Sequence, residues 1–326
     1  MPVSLCCVAS LTLTRMTNST LLQGSDASLD SPGFMVYCIL MVLIILVAGT
    51  VMGTTAVALT MAQSIPRTLR LFLINLLLAG IFMGLGGIFI LGTSAVLVLV
   101  GSEHPRPPRY LCRVYTWIYG VGAVARLWSL AAFSLSVLAI VRFGKKTISL
   151  CFAVIIIAIL WIVPISINLY VLLPYVYEAQ FVSGVACFPD RNNIIIFQAT
   201  HTLFANWVTS GGAIPILISI AVPIICLCYI KKNTVTEDAQ YRKGMAKFSL
   251  FLVVGGTINI AGQLVTGLVA LNSEAPGVYI SYGIGALSLL PTPIIIIAYL
   301  KPFREKFKKI ATCSSWPKEQ EVESAL

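Results

Sequence analysis

Charge is what this sequence has least of. Only 10% of its 326 residues are Asp, Glu, Lys or Arg, while 58% are hydrophobic. A soluble domain carries about 25% charged residues, so most side chains here face something other than water, and lipid is the implied medium. Acidic residues are missing where they would matter most. All twelve fall between or beyond the long apolar runs, from Asp26 and Asp30 to Glu321 and Glu323. Proton relays and cation routes need carboxylates inside the membrane, and an intramembrane hydrolase needs paired acids or metal ligands. Pumps, proton-coupled carriers and membrane enzymes are disfavoured on that ground. Histidine is nearly absent (His104 and His201), and the nine cysteines form no CxxC pair, so no zinc or haem site is expected and no cofactor is implied. The N-terminus, MPVSLCCVASLTLT, has no lysine or arginine ahead of its apolar stretch, unlike a signal peptide. The first membrane helix is expected to act as its own insertion signal.

What is present is seven apolar runs, each of a length that spans a bilayer, for which about 20 residues suffice. They cover roughly 34–62, 69–98, 110–141, 148–174, 203–230, 245–271 and 277–300. The sequence therefore predicts an all-α, integral membrane bundle of seven transmembrane helices. It divides into a tail at 1–33, the helical domain at 34–300 and a basic tail at 301–326. Gly211, Gly212 and Pro215 are expected to kink the fifth run. The net charge of +10 sits in short clusters between runs, a pattern of topology control and anionic-lipid contact rather than of nucleic-acid binding.

Those clusters orient the chain. With the N-terminus outside, the inner side holds Arg67 and Arg70; Arg142, Lys145 and Lys146; Lys231, Lys232, Arg242, Lys243 and Lys247; and six basic residues of the tail. The outer side holds Arg15, Arg106, Arg109, Arg113 and Arg191, and only Arg126 falls within a run. Positive charge stays inside, so the N-terminus is placed outside the cell and the C-terminus in the cytoplasm. Asn18-Ser19-Thr20, a glycosylation acceptor, falls in the outer tail.

The end of the chain, TPIIIIAYLKPFREKFKKI from 292 to 310, resembles the last transmembrane helix and the following short helix of rhodopsin-like (class A) G-protein-coupled receptors. Those carry NPxxY and then FRxxF. Pro293 matches the proline and the run from Phe303 to Phe307 matches FRxxF, while Thr292 replaces the asparagine and Ile296 the tyrosine. Phe303, Phe307 and Ile310 share one helical face among basic residues, which describes an eighth, amphipathic helix on an anionic leaflet. Cys313 just beyond it is a palmitoylation candidate. INLLLAG at 74–80 resembles the NLxxAD stretch of the second helix, with Asn75 and Ala79 matching and Gly80 in place of the aspartate. Val141, Arg142 and Phe143 stand where DRY is expected, Trp161 fits the fourth-helix tryptophan, and Pro223 and Tyr229 resemble the fifth helix. The sixth helix has no CWxP.

The resemblance implies a receptor that passes an extracellular signal to a heterotrimeric G protein at the plasma membrane. Arg142, Lys145, Lys146 and Tyr229 would face the G protein, and Asn75 and Pro293 would take part in activation. Cys112 and Cys187 would form a disulfide. Cys112 precedes Arg142 by more residues than the family shows, so either the third helix starts late or one of the two is misplaced. The lost aspartate and asparagine put the family's sodium site in doubt, and the lost CWxP and tyrosine its usual switches. Arg126, reckoned roughly 24 Å above Arg142, is expected in the outer half of the membrane. There it either binds an anionic ligand, with Trp117, Tyr119, Trp128, Trp207 and Tyr282 as neighbours, or is bonded structurally to nearby groups such as Asn168. The third helix has no aspartate and the seventh no lysine, which sets aside biogenic amines and a retinal Schiff base. The competing reading is a non-signalling seven-helix carrier or lipid-handling protein.

Overall fold

The structure, a computed structural model, describes residues 32–62, 65–100, 109–143, 149–169, 212–232, 242–256 and 283–299. Helices account for nearly all of them, and there is no strand among the described residues. In chain order they are α1 (Pro32–Thr60), α2 (Arg67–Leu99), α3 (Arg109–Phe143), α4 (Leu150–Asn168), α5 (Ile214–Lys232), α6 (242–256) and α7 (Pro291–Tyr299), the last preceded by a helical turn at 283–287. All seven predicted runs thus contain helix. The tail that carries FRxxF and Cys313 lies outside the described residues, as do Asn18, Cys187, Trp207, Tyr282, Lys145 and Lys146.

Three helices are long and apolar enough to cross a membrane by themselves, within Met35–Thr60, Arg67–Thr93 and Trp117–Phe143; Leu150–Ser166, Ile214–Ile230 and Gly283–Tyr299 are shorter apolar helices. The surface is inverted relative to a protein made for water. α1 exposes Val36, Leu40, Leu43 and Val47, and α4 exposes Phe152, Ile155, Ile159 and Ile162. Apolar faces that large on every outer helix are stable only against lipid. The bundle is a membrane protein. Hydroxyls on these helices are satisfied locally, as the absence of water in lipid demands: Thr50, Thr54 and Thr55 of α1 donate to carbonyls one turn back, at 2.9, 3.0 and 2.6 Å.

Burial ranks the helices. The apolar window is 28% buried in α1, 61% in α2 and 72% in α3, so α3 is the central post, packed on α2, α4 and α5. Two glycines let α2 and α3 approach closely. A Cβ on Gly86 would lie 2.5 Å from the backbone nitrogen of Tyr119, and one on Gly122 would overlap the backbone of Met83. Close backbone contact through small residues is how membrane helices gain packing without a hydrophobic drive. On the inner side, Phe133 of α3 meets Phe248 of α6 edge-on at 5.8 Å, and Tyr299 of α7 packs on Phe248 and Phe251. Arg242, first in α6, donates to the carbonyl of Val141 at the end of α3, 2.9 Å away.

Three helices differ from the uniform runs expected. α4 starts at Leu150 because the Ser149 side chain accepts from the Phe152 N–H at 3.2 Å, an N-cap. The described part of the fifth run opens with a π-helical turn at 212–213, where Gly212 and Pro215 were expected to kink it. The seventh run was read as one helix over 277–300 but is broken by a turn at 288–290. Pro291 and Pro293 explain the break, since neither has an N–H to give to the carbonyls of Leu287 and Leu289 four residues back.

Candidate functional site

The middle of the bundle holds a polar layer. Its centre is Arg126, at the midpoint of α3 and only 2% exposed. Its guanidinium crosses to the break before α7. One terminal nitrogen, Nη1, donates to Ser288 Oγ at 3.0 Å; the other, Nη2, donates to the Ser288 carbonyl at 2.6 Å and to Thr292 Oγ1 at 2.9 Å. Ser288 Oγ in turn donates to the Gly285 carbonyl at 2.7 Å. The prolines that break the helix thus open backbone and hydroxyl oxygens on one face, and the planar five-donor fork of arginine fills it. There is no Asp or Glu among the described residues, so every partner of this cation is a neutral oxygen.

One turn further along α3, Ser129 continues the layer. Asn75 of α2 donates to Ser129 Oγ at 2.7 Å and accepts from the Trp161 indole N–H of α4 at 2.8 Å. Ser129 itself donates to the Ala125 carbonyl at 2.6 Å. Asn75 therefore ties α2, α3 and α4 together, and Phe82 adds an edge-on contact to Trp161 at 5.6 Å. Ser134 and Ser249 lie 3.5 Å apart between α3 and α6. No group of three or more His, Cys, Asp or Glu that could hold a metal occurs among the described residues.

The sequence-derived candidates land as follows. Arg126 was expected in the outer half of the membrane; it lies at the middle of α3 and is bonded to α7. Asn168 is not its partner, because Asn168 Nδ2 donates to the Pro164 carbonyl at 2.8 Å. Trp117 and Tyr119 lie two to three turns away on the outer side of Arg126. The Trp117 and Trp128 indole nitrogens are buried without a hydrogen-bond partner, and Tyr119 fits against Gly86. Pro293 is buried in α7 beside the break. Arg142 is exposed at the inner end of α3, its guanidinium 5.3 Å from the centre of the Phe143 ring, and Tyr229 is 39% exposed at the inner end of α5. α3 begins at Arg109, ahead of Cys112, so a late start of the third helix does not explain the long spacing from Cys112 to Arg142. Ser288 was missed altogether. The readable signal was a pair of hydroxyls, Ser288 and Thr292, one helical turn apart in an otherwise apolar run that also holds two prolines.

No family model matches the chain, and no curated protein matches it in sequence. Among solved structures it is similar to the crystal structure of squid rhodopsin, with a TM-score of 0.68, 17% identity, and coverage of 93% of this chain and 86% of that one. At that identity the likeness establishes the fold: an all-helical chain with the seven-helix architecture of rhodopsin.

Proposed function

We propose that this chain is a plasma-membrane receptor of the rhodopsin-like kind, which passes an extracellular signal to a heterotrimeric G protein and performs no catalysis. The observation that carries the reading is the junction of Arg126 with Ser288 and Thr292. A signal crossing a membrane through a helix bundle needs an element with two arrangements that both faces can bias. A proline-broken helix held by one buried side chain is such an element, and it sits between the outer and inner halves of the central helix.

In this reading residues 1–33 form an outer tail glycosylated at Asn18, 34–300 the helical domain, and 301–326 an inner amphipathic helix and tail, palmitoylated at Cys313 and lying on anionic lipid. Cys112 and Cys187 pair in the oxidising exterior. The ligand enters from the outer end of α3, past Trp117 and Tyr119 and between Trp207 and Tyr282. An anionic group on it would be drawn by the positive potential of Arg126. At the inner face the G protein meets Arg142, Tyr229 and the lysines at 145 and 146. The Arg242 hydrogen bond to the Val141 carbonyl holds α3 and α6 together there in the absence of an acidic partner for Arg142. Asn75 and Pro293 connect the central layer to these ends.

The test is basal second-messenger output of the wild type and of Arg142→Ala at matched surface level, across a panel of G proteins. Output from the wild type and its loss in the variant is the expected result. Silence of both with every G protein, together with substrate uptake by the wild type, would replace the receptor with a carrier.

A further inference from the structure

We infer that membrane potential is a second input to this bundle, received by Arg126. The inference rests on the two-arrangement reading above and on three observations. First, Arg126 is alone. Every other Lys or Arg among the described residues lies within the first or last two turns of its helix, from Arg67 and Arg70 in α2 to Arg242, Lys243 and Lys247 in α6. Second, its charge is not cancelled. The partners are Ser288 Oγ, the Ser288 carbonyl and Thr292 Oγ1, and no carboxylate occurs among the described residues. An ion pair moving as a unit would feel almost no net force in a field, whereas a cation held by neutral oxygens feels all of it. Third, the acceptors lie along the direction of the field. Ser288 and Thr292 are four positions apart on a segment that runs across the membrane. The fork therefore has oxygens at two levels and can slide from one set toward the other without losing every bond.

The size of the effect follows from geometry. Moving one charge through the whole membrane changes an equilibrium by about 50-fold per 100 mV. A slide of one helical turn, about 5.4 Å of a hydrocarbon core of about 30 Å, takes roughly a fifth of that drop. The equilibrium between the two arrangements then changes about twofold per 100 mV. That is a shallow dependence beside a dedicated voltage sensor, and it suits a modulator of a ligand response. Hyperpolarisation, negative inside, draws the cation inward, from Ser288 toward Thr292.

The experiment is fluorometry under voltage clamp on the full chain, with an environment-sensitive fluorescent amino acid in place of Lys247 at the inner part of α6. The expected result is a graded fluorescence change in the wild type, of about twofold in the underlying equilibrium per 100 mV, that persists in Arg126→Lys and in Lys243→Gln and is lost in Arg126→Gln. A flat wild-type record over about 150 mV overturns the inference, and so does a response that survives in Arg126→Gln. The wild-type record decides against it even if Arg126→Gln fails to reach the surface. A voltage-dependent fluorescence change without output through any G protein would sink the receptor reading and leave this one standing.

Discussion

Removing the charge of Arg126 and removing its partners are predicted to have opposite costs. Arg126 donates three hydrogen bonds to Ser288 and Thr292 in a site almost closed to solvent. A hydrogen bond to a charged group is worth about 1.5–3 kcal/mol net. Thr292→Val keeps the shape, removes one of the three, and is expected to cost about 2 kcal/mol. Ser288→Ala with Thr292→Val leaves the cation only the Ser288 carbonyl and approaches the roughly 3–5 kcal/mol of a buried charge stripped of its partner. Arg126→Met removes the cation itself. Ser288 Oγ keeps its bond to the Gly285 carbonyl, and apolar replacement of a buried charge is often neutral or stabilising by about 1–4 kcal/mol. Thermal unfolding of purified protein in nanodiscs reads these differences at roughly 2–4 °C per kcal/mol. The double variant should melt some 6–15 °C lower, and Arg126→Met at or above the wild type. Introduced into Arg126→Met, Thr292→Val should cost almost nothing, because the two act through one interaction. An equal cost of Thr292→Val on both backgrounds would refute the argument.

The α2–α3 contact gives a second prediction. Gly86→Ala and Gly122→Ala each drive a methyl into the facing backbone and should cost at least 1–3 kcal/mol, with loss of surface expression. Gly53→Ala in α1, where a Cβ meets nothing within 4 Å, should be neutral or gain up to about 1 kcal/mol in helix propensity. Asn75→Leu deprives the Trp161 indole of its acceptor and should lower stability by about 1–3 kcal/mol. Trp161→Phe, which removes donor and demand together, should cost less in the same melting assay.

The membrane spans could be read from composition because lipid imposes one rule on every outward face, and the exposed Val, Leu and Ile of α1 and α4 obey it. The break in the last run was also readable. Pro291 and Pro293 sit in plain view, and the missing N–H groups follow from their chemistry. The partnership of Arg126 with Ser288 and Thr292 was not, since it joins positions 162 and 166 residues apart. Which side of α7 faces α3 depends on the turn at 288–290. The depth of Arg126 was misjudged because Arg142 served as the ruler, whereas the ends of α3 at Arg109 and Phe143 place it at mid-length. Asn75 and Trp161 were each noticed for a family resemblance; that they bond to each other follows from how α2 and α4 flank α3, which spacing along the chain does not encode.

The glycine contacts between α2 and α3 also divide the bundle mechanically. At Gly86 and Gly122 two backbones meet with no side chain between them, so a shear of one helix along the other would drive main-chain atoms together, and repacking of rotamers cannot relieve it. α2 and α3 form a single stiff frame, to which Asn75 and Trp161 fasten α4. α6 and α7 meet that frame through side-chain contacts, such as the Phe133–Phe248 pair and the fork of Arg126, which slide and re-form at small cost. Any change of shape therefore falls to these helices, and a probe fixed on α2 or α4 measures the frame against which the others move.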